Sequence, residues 1–248
     1  MARVEQQRLP SLTGHTHLFA HRGARAHAPE NTMEAFTLAL RLGATGLETD
    51  AWITRDGVVV LDHDGKVQLG PLRSKRIEDL DAKHLPPHIP RLTDLIDLVS
   101  QRSDIHLSID IKNIEALRPT YDLLAGAPGA VAERSWLCHP SLDLLIESTP
   151  MMPRTNLVNS VRLGSIAEGV ETRAARLSSH GVRALNMRGD DWNGGLVTLV
   201  HRFGLHAFSW NLQHEHELRP ALRMGVDAVY SDHVDRMVDA AQVELHLS

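Results

Sequence analysis

Residues 205–231 read LHAFSWNLQHEHELRPALRMGVDAVYS. An apolar run at 205–210 gives way to a charged stretch with apolar residues at helical spacing over 214–224, and a second apolar run follows at 227–231. This is a strand, a helix and a strand, and two strands joined by a helical crossover run parallel. The same unit recurs upstream without any repeat of the sequence. Further strands are expected at 17–21, 46–53, 105–111, 135–138, 155–160 and 182–187, which makes eight. Further helices are expected at 32–42, 92–102, 114–126, 141–148, 165–180, 194–203 and 233–244. Eight such units in 248 residues fit a single-domain α/β protein of the (β/α)8 TIM-barrel class. An open doubly wound sheet accounts for the alternation equally well. An extra short strand is expected at 58–61, after the turn Arg55-Asp56-Gly57. Residues 64–91 are polar and hold Pro71, Pro86, Pro87 and Pro90, so they read as an irregular excursion between the second and third barrel strands. Residues 1–15 read as an N-terminal tail open to disorder, and 16–248 as the barrel.

Composition narrows the function. With 26 Lys+Arg against 31 Asp+Glu the net charge is −5, and no basic patch stands out, which argues against nucleic acid as a partner. No run of about 18 apolar residues exists to span a membrane. The polar N-terminus lacks the apolar core of a secretory signal, so a cytoplasmic location is expected. The single cysteine, Cys138, excludes an internal disulfide and a thiolate metal cage, and reads as a small buried side chain. The 16 histidines weaken any argument from one of them alone.

The residues that carry chemistry gather at strand ends. His21-Arg22-Gly23 places an imidazole beside a guanidinium suited to phosphate oxygens, at a turn that Gly permits. Asn31 with Glu34 reads as a capping box for the first helix. Glu48 and Asp50 lie two apart on a strand and therefore share a face, where their repulsion calls for a proton or a cation between them. Oxygen-only ligation favours one Mg²⁺ or Ca²⁺ over Zn²⁺. Asp110 offers a third carboxylate and Lys112 a cation beside it, a buried Asp–Lys pair being the structural alternative. His63 lies between Asp62 and Asp64, which favour its protonated form. Trp210 ends the seventh strand, where it packs in the core or walls a pocket against the carbons of a small polyol. The C-terminal strand ends are where barrel enzymes keep their active sites. Two histidines, three carboxylates, an Arg and a Lys there suit metal-assisted attack on a phosphoester.

Several runs resemble the glycerophosphodiester phosphodiesterases. They are His21-Arg22-Gly23, Pro29-Glu30-Asn31-Thr32, Glu48-Thr49-Asp50, His63-Asp64, Ile89-Pro90-Arg91-Leu92, Asp110-Ile111-Lys112, Trp210-Asn211, Gly225-Val226-Asp227 and Ser231-Asp232. The resemblance extends from residue 17 to about 240 and implies a (β/α)8 barrel with one divalent metal, Mg²⁺ or Ca²⁺. It implies cleavage of a small glycerophosphodiester to glycerol 3-phosphate and an alcohol. It makes His21 and His63 the general acid/base pair and Glu48, Asp50 and Asp110 the metal ligands. It places Arg22 and Lys112 on phosphate oxygens and Trp210 near the glycerol. The flanking acids of His63 favour His21 as base and His63 as acid. This chain departs from the family pattern at Asp110, where Glu is usual, and at 65–70, where a Leu, Arg and Thr pattern is absent. It also has Trp210-Asn211 in place of Trp-Thr and Ser231-Asp232-His233-Val234 in place of Thr-Asp-x-Pro. Two other readings remain: a lysophospholipase D acting on lipid substrates, and a non-catalytic barrel that binds a phosphorylated ligand. The mostly polar, aromatic-poor segment 64–91 favours water-soluble substrates over lipids.

Overall fold

The computed structural model describes residues 8–70 and 73–245. Its strands and helices, in chain order, are β1 His17–Ala20, α1 Met33–Arg41, β2 Gly46–Ile53, β3 Val59–Leu61, β4 Lys66–Gly70, β5 Arg73–Arg76, α2 Leu92–Ser100, β6 His106–Ile111, α3 Leu117–Gly126, β7 Ser135–His139, α4 Leu142–Ser148, β8 Asn156–Ser160, α5 Val170–Ser179, β9 Ala184–Arg188, α6 Gly194–Arg202, β10 His206–Trp210, α7 Glu215–Arg223, β11 Ala228–Ser231 and α8 Val234–Leu245. Eight strands, β1, β2 and β6 to β11, pair in parallel around a ring. The ring closes where β1 takes β11 on one side, His17 opposite Ala228, and β2 on the other, Phe19 opposite Gly46. Closure rules out the open doubly wound sheet and gives the (β/α)8 barrel.

The period of two along each strand sorts side chains into two cores. Leu18, Leu47, Leu107, Ile109, Leu137, Leu157, Leu185 and Val229 point outward and pack under the helices. Phe19, Trp136, Cys138, Val158, Phe208 and Tyr230 point inward and fill the barrel. Cys138 is buried, as its reading from the sequence requires.

The segment after β2 is more ordered than its proline content implies. β3 runs antiparallel to β2, with Ala51 opposite Leu61, and β4 and β5 form a separate hairpin. Val60, Val67, Ile77, Leu80 and Ile89 make a small core of their own against Trp52, Val58 and Leu85. These apolar residues are too dispersed to show a period, which is why 64–91 reads as irregular. Of the tail, residues 1–7 lie outside the described residues. Beyond them, the Leu9 N–H donates to the Arg223 carbonyl at 2.9 Å and the Leu12 N–H to Asp227 Oδ1 at 2.6 Å, which ties this stretch to the β10–β11 end of the barrel.

The end of the barrel opposite the mouth is closed by imidazoles. The rings of His17 and His106 lie 4.0 Å apart, and the Trp136 indole N–H donates to His106 Nδ1 at 3.3 Å. His206 stands edge-on to Trp136 at 5.2 Å and lies 3.8 Å from Asp227. Burial and the neighbouring histidines push the His17 pKa down from 6.5 to about 3. Burial and the Arg134 guanidinium push that of His106 down to about 4. A protonated His106 Nδ1 would also set donor against donor at Trp136.

Both groups bind protons more weakly folded than unfolded, so their contribution is complete above pH 6.5 and is lost as pH falls toward 4 and 3. At about 1.4 kcal/mol per unit, His17 alone contributes a change on the order of 3 kcal/mol by pH 4. Glu48, described below, acts in the opposite sense over much of the same range, so a comparison with a variant isolates the effect. Denaturant midpoints measured from pH 7 to pH 4 are expected to fall more steeply for the wild-type chain than for the His17→Gln/His106→Gln double variant.

Candidate active site

The loop after β1 delivers the first site residues. Arg22 and Gly23 both take positive φ, 52° and 78°. At Gly23 any Cβ would sit 2.7 Å from the Ala35 backbone, so only glycine lets this loop close onto the start of α1. The turn leaves Arg22 buried, with its N–H donating to Glu48 Oε2 at 2.9 Å and its Nη1 donating to both oxygens of Glu30 at 3.1 Å. Arg22 Nε lies 3.1 Å from Asp50.

The capping reading of Asn31 needs correction. The cap of α1 is Thr32, whose Oγ1 accepts from the Ala35 N–H at 3.2 Å. Asn31 takes φ 53°, a conformation that Asn tolerates, and turns its side chain into the site. Its Nδ2 donates to Asp50 Oδ2 at 3.0 Å while its Oδ1 accepts from Thr49 Oγ1 at 2.7 Å. Asn and Thr are both good caps, so adjacent in sequence they conceal which of them is the cap.

Parallel pairing of β2 with β6 sets Asp50 opposite Asp110 and Glu48 opposite Ser108. Lys112 answers two of the three acids, with Nζ 2.7 Å from Asp110 and 3.1 Å from Asp50. Its pKa is raised because these carboxylates outweigh the burial that opposes its charge. Glu48 is left with the Arg22 N–H and a His21 Nε2 3.9 Å away. Burial, with Asp50 and Asp110 adding to it, pushes the Glu48 pKa up to about 7 despite His21.

Glu48, Asp50, Asp110, Arg22, Lys112, His21 and Trp210 all line one cavity of about 220 Å³ at the barrel mouth, with Ser108, Cys138, Ser160, Asn186 and Tyr230. The donor set suits a hard dication: it is oxygen only, and it contains a buried carboxylate, Glu48, for which a cation would relieve the burial cost. The three acids do not converge to within 4.8 Å of one another. Among the described residues the group of three His, Asp or Glu side chains that does so is His27, His233 and Asp235, farther out on the rim.

The two histidines differ. His21 Nδ1 donates to Asp232 Oδ1 at 2.5 Å. Burial works against its imidazolium, but Glu48 and Asp232 prevail and raise its pKa. His63 is half-buried, is absent from the cavity lining, and donates from Nδ1 to the exposed Asp64 at 2.7 Å. Asp62 turns away, accepting from the Gly65 N–H at 2.7 Å. The loop is nonetheless anchored at the mouth, since the Asp62 N–H donates to the Asp50 carbonyl at 3.1 Å. The acid-flanked histidine of the sequence is therefore held by one exposed acid, whereas the more deeply embedded His21 lies between Asp232 and Glu48.

Three site residues escaped sequence reasoning: Asn31, Asp232 and Asn186. Asn186 Nδ2 donates to Ser160 Oγ at 3.1 Å, but its buried Oδ1 has no partner. Asp232 lies 211 residues from His21, and its adjacency in Ser231-Asp232 was the one available signal. In Asp232→Asn the pKa of His21, followed by NMR, is expected to fall, because a charge that raises it is removed. Any activity that depends on that ring should drop about 10²-fold through lost orientation.

Comparison with known proteins agrees with this geometry. Residues 21–122 match the model of the glycerophosphoryl diester phosphodiesterase family. A glycerophosphodiester phosphodiesterase of Bacillus altitudinis is 28% identical over 249 residues, covering 90% of this chain and 97% of that protein. The crystal structure of a glycerophosphodiester phosphodiesterase from Thermotoga maritima superposes with a TM-score of 0.79 at 24% identity, covering 91% of this chain and 98% of that one. A phosphodiesterase of Oleispira antarctica, solved in complex with its product sn-glycerol-3-phosphate, gives a TM-score of 0.79 at 20% identity, covering 94% of this chain and all of the other, 100%.

Proposed function

We propose that this chain, whose residues 21–122 match the glycerophosphoryl diester phosphodiesterase family model, hydrolyses a small glycerophosphodiester to glycerol 3-phosphate and an alcohol. One hard dication, Mg²⁺ or Ca²⁺, is held by Glu48, Asp50 and Asp110. The observation that carries this reading is the cavity in which these carboxylates face His21, Arg22 and Lys112. When bound, the cation neutralises and orients the diester.

The chain's own groups do the rest. Arg22 and Lys112 supply positive charge to the phosphoryl oxygens. His21, held at Nδ1 by Asp232 and favoured as imidazolium, presents Nε2 to the cavity and protonates the departing alkoxide. His63 takes the proton of the attacking oxygen. This reverses the roles expected from the acids flanking His63. Asn186 Oδ1, buried and unpartnered, accepts a hydrogen bond from a glycerol hydroxyl, and Trp210 packs against the glycerol carbons.

Glu30, the ion-pair partner of the cavity residue Arg22, lines a separate groove of about 1000 Å³. Glu30, Glu34, Asp62 and Asp94 line it together with Arg91 and His88. Its carboxylates suit a small cationic alcohol, and the mostly polar segment 64–91 sets the lysophospholipase D reading second. No helix among the described residues is long and apolar enough to cross a membrane.

Glycerol 3-phosphate release from glycerophosphocholine, glycerophosphoethanolamine and glycerophosphoglycerol should require Mg²⁺ or Ca²⁺, stop with EDTA, and favour the two cationic alcohols. Release from none of them by folded, metal-supplied protein would overturn the reading. His21→Ala should lose roughly 10²–10⁴-fold on the choline ester and far less on an activated aryl ester, whereas His63→Ala should lose similarly on both. The reverse pattern would restore the opposite assignment of acid and base.

A further inference from the structure

The reaction leaves one cluster unused. His27 belongs to the loop between β1 and α1, His233 immediately precedes α8, and Asp235 lies in the first turn of α8. His27 Nε2 lies 3.1 Å from Asp235 Oδ1, the rings of His27 and His233 meet edge-on at 6.2 Å, and one ligand atom from each of the three residues lies within 4.8 Å of the others. His27 lies more than 200 positions before His233 and Asp235, so its convergence on them does not follow from local sequence. The backbone holds them in place: the Ala26 N–H donates to the Asp232 carbonyl at 3.1 Å, and the His233 N–H to Ser231 Oγ at 3.1 Å. His233 also lies in the Ser231-Asp232-His233-Val234 run that departs from the family pattern.

We propose that His27, His233 and Asp235 form a second metal site, for a late first-row dication of the Zn²⁺ class, that clips the β1–α1 loop to the first turn of α8. Two imidazoles and a carboxylate select against Mg²⁺ and Ca²⁺ and favour Zn²⁺, Co²⁺ or Ni²⁺. Ligand atoms within 4.8 Å need only small side-chain rotations to reach a common ion at about 2.0–2.2 Å. Three protein ligands leave a coordination position for water. The clip spans the seam where the barrel closes, because β1 and β11 are the pair that precede these two segments. The same loop carries His21, Arg22, Glu30 and Asn31, and His233 is the next residue after Asp232, which holds His21. A metal here therefore rigidifies the loop that presents the site without entering the cavity. The site needs only the fold, so it stands apart from the diester reading.

The test is calorimetric titration of the whole chain with Zn²⁺, and with Co²⁺ read by visible absorption, in millimolar Mg²⁺ to occupy the oxygen site. One Zn²⁺ or Co²⁺ per chain is expected, with a rise in Tm. His27→Gln/His233→Gln should weaken binding at least tenfold and abolish the Tm rise while keeping its Mg²⁺-dependent diester hydrolysis. Glu48→Gln should bind Zn²⁺ as the wild type does, whether or not it hydrolyses any diester. Binding unchanged in the double variant, binding lost in Glu48→Gln, or no binding by the folded wild-type chain would each overturn the proposal.

Discussion

Three carboxylates on two paired strands project toward one cavity, and their mutual repulsion is the constraint that the mouth of this barrel answers. Parallel register sets Asp50 opposite Asp110, and the period of two puts Glu48 on the same face. The compensation is unequal. Asp50 is met by Arg22, Asn31 and Lys112, and Asp110 by Lys112, but Glu48 has a backbone N–H and a distant imidazole. The imbalance concentrates the demand for positive charge at one carboxylate, whose pKa burial, with Asp50 and Asp110 adding to it, pushes up to about 7. The positive-φ turns at Arg22 and Asn31 follow from the same need, since each brings a donor to an acid that strand residues alone could not reach.

The inside of the barrel changes character along its axis. Charge occupies the mouth, Phe19, Phe208 and Tyr230 the middle, and His17, His106 and His206 the far end. Histidine meets opposite demands at the two ends. At the closed end it must stay neutral to accept from Trp136, and burial enforces this. At the mouth, carboxylates outweigh the same burial and raise the pKa of His21. The number of histidines therefore says little about function, and the anions within reach of each ring say most of it.

Much of this was legible in the sequence, for identifiable reasons. The eight barrel strands and their helices appear because Val, Ile and Leu runs alternate with amphipathic stretches, and expected bounds such as 92–102 for Leu92–Ser100 err only where helix ends carry no distinct signal. Glu48, Asp50, Asp110 and Lys112 could be placed on one face because a strand has a fixed period. The hairpin β4–β5 stayed hidden because its apolar residues serve a small local core instead of a repeating face. Asn31 was misread because capping is decided by φ, which composition does not encode, and Asp232 and Asn186 were missed because their roles come from contacts across the barrel.

Those contacts bear on how the site comes into being. The His21–Asp232 pair joins the end of the first barrel strand to the end of the last, and the Ala26–Asp232 backbone bond lies beside it. Neither can form until β1 pairs with β11, which is the last closure available to a chain whose other barrel strands pair with a sequence neighbour. The orientation and charge of His21 are thus properties of the closed ring and not of the motif that contains it. An incomplete barrel would carry Glu48, Asp50 and Asp110 in their register on β2 and β6, yet would lack the anion that fixes the imidazole. Loosening at this one seam would therefore act on proton transfer before it acts on the carboxylates.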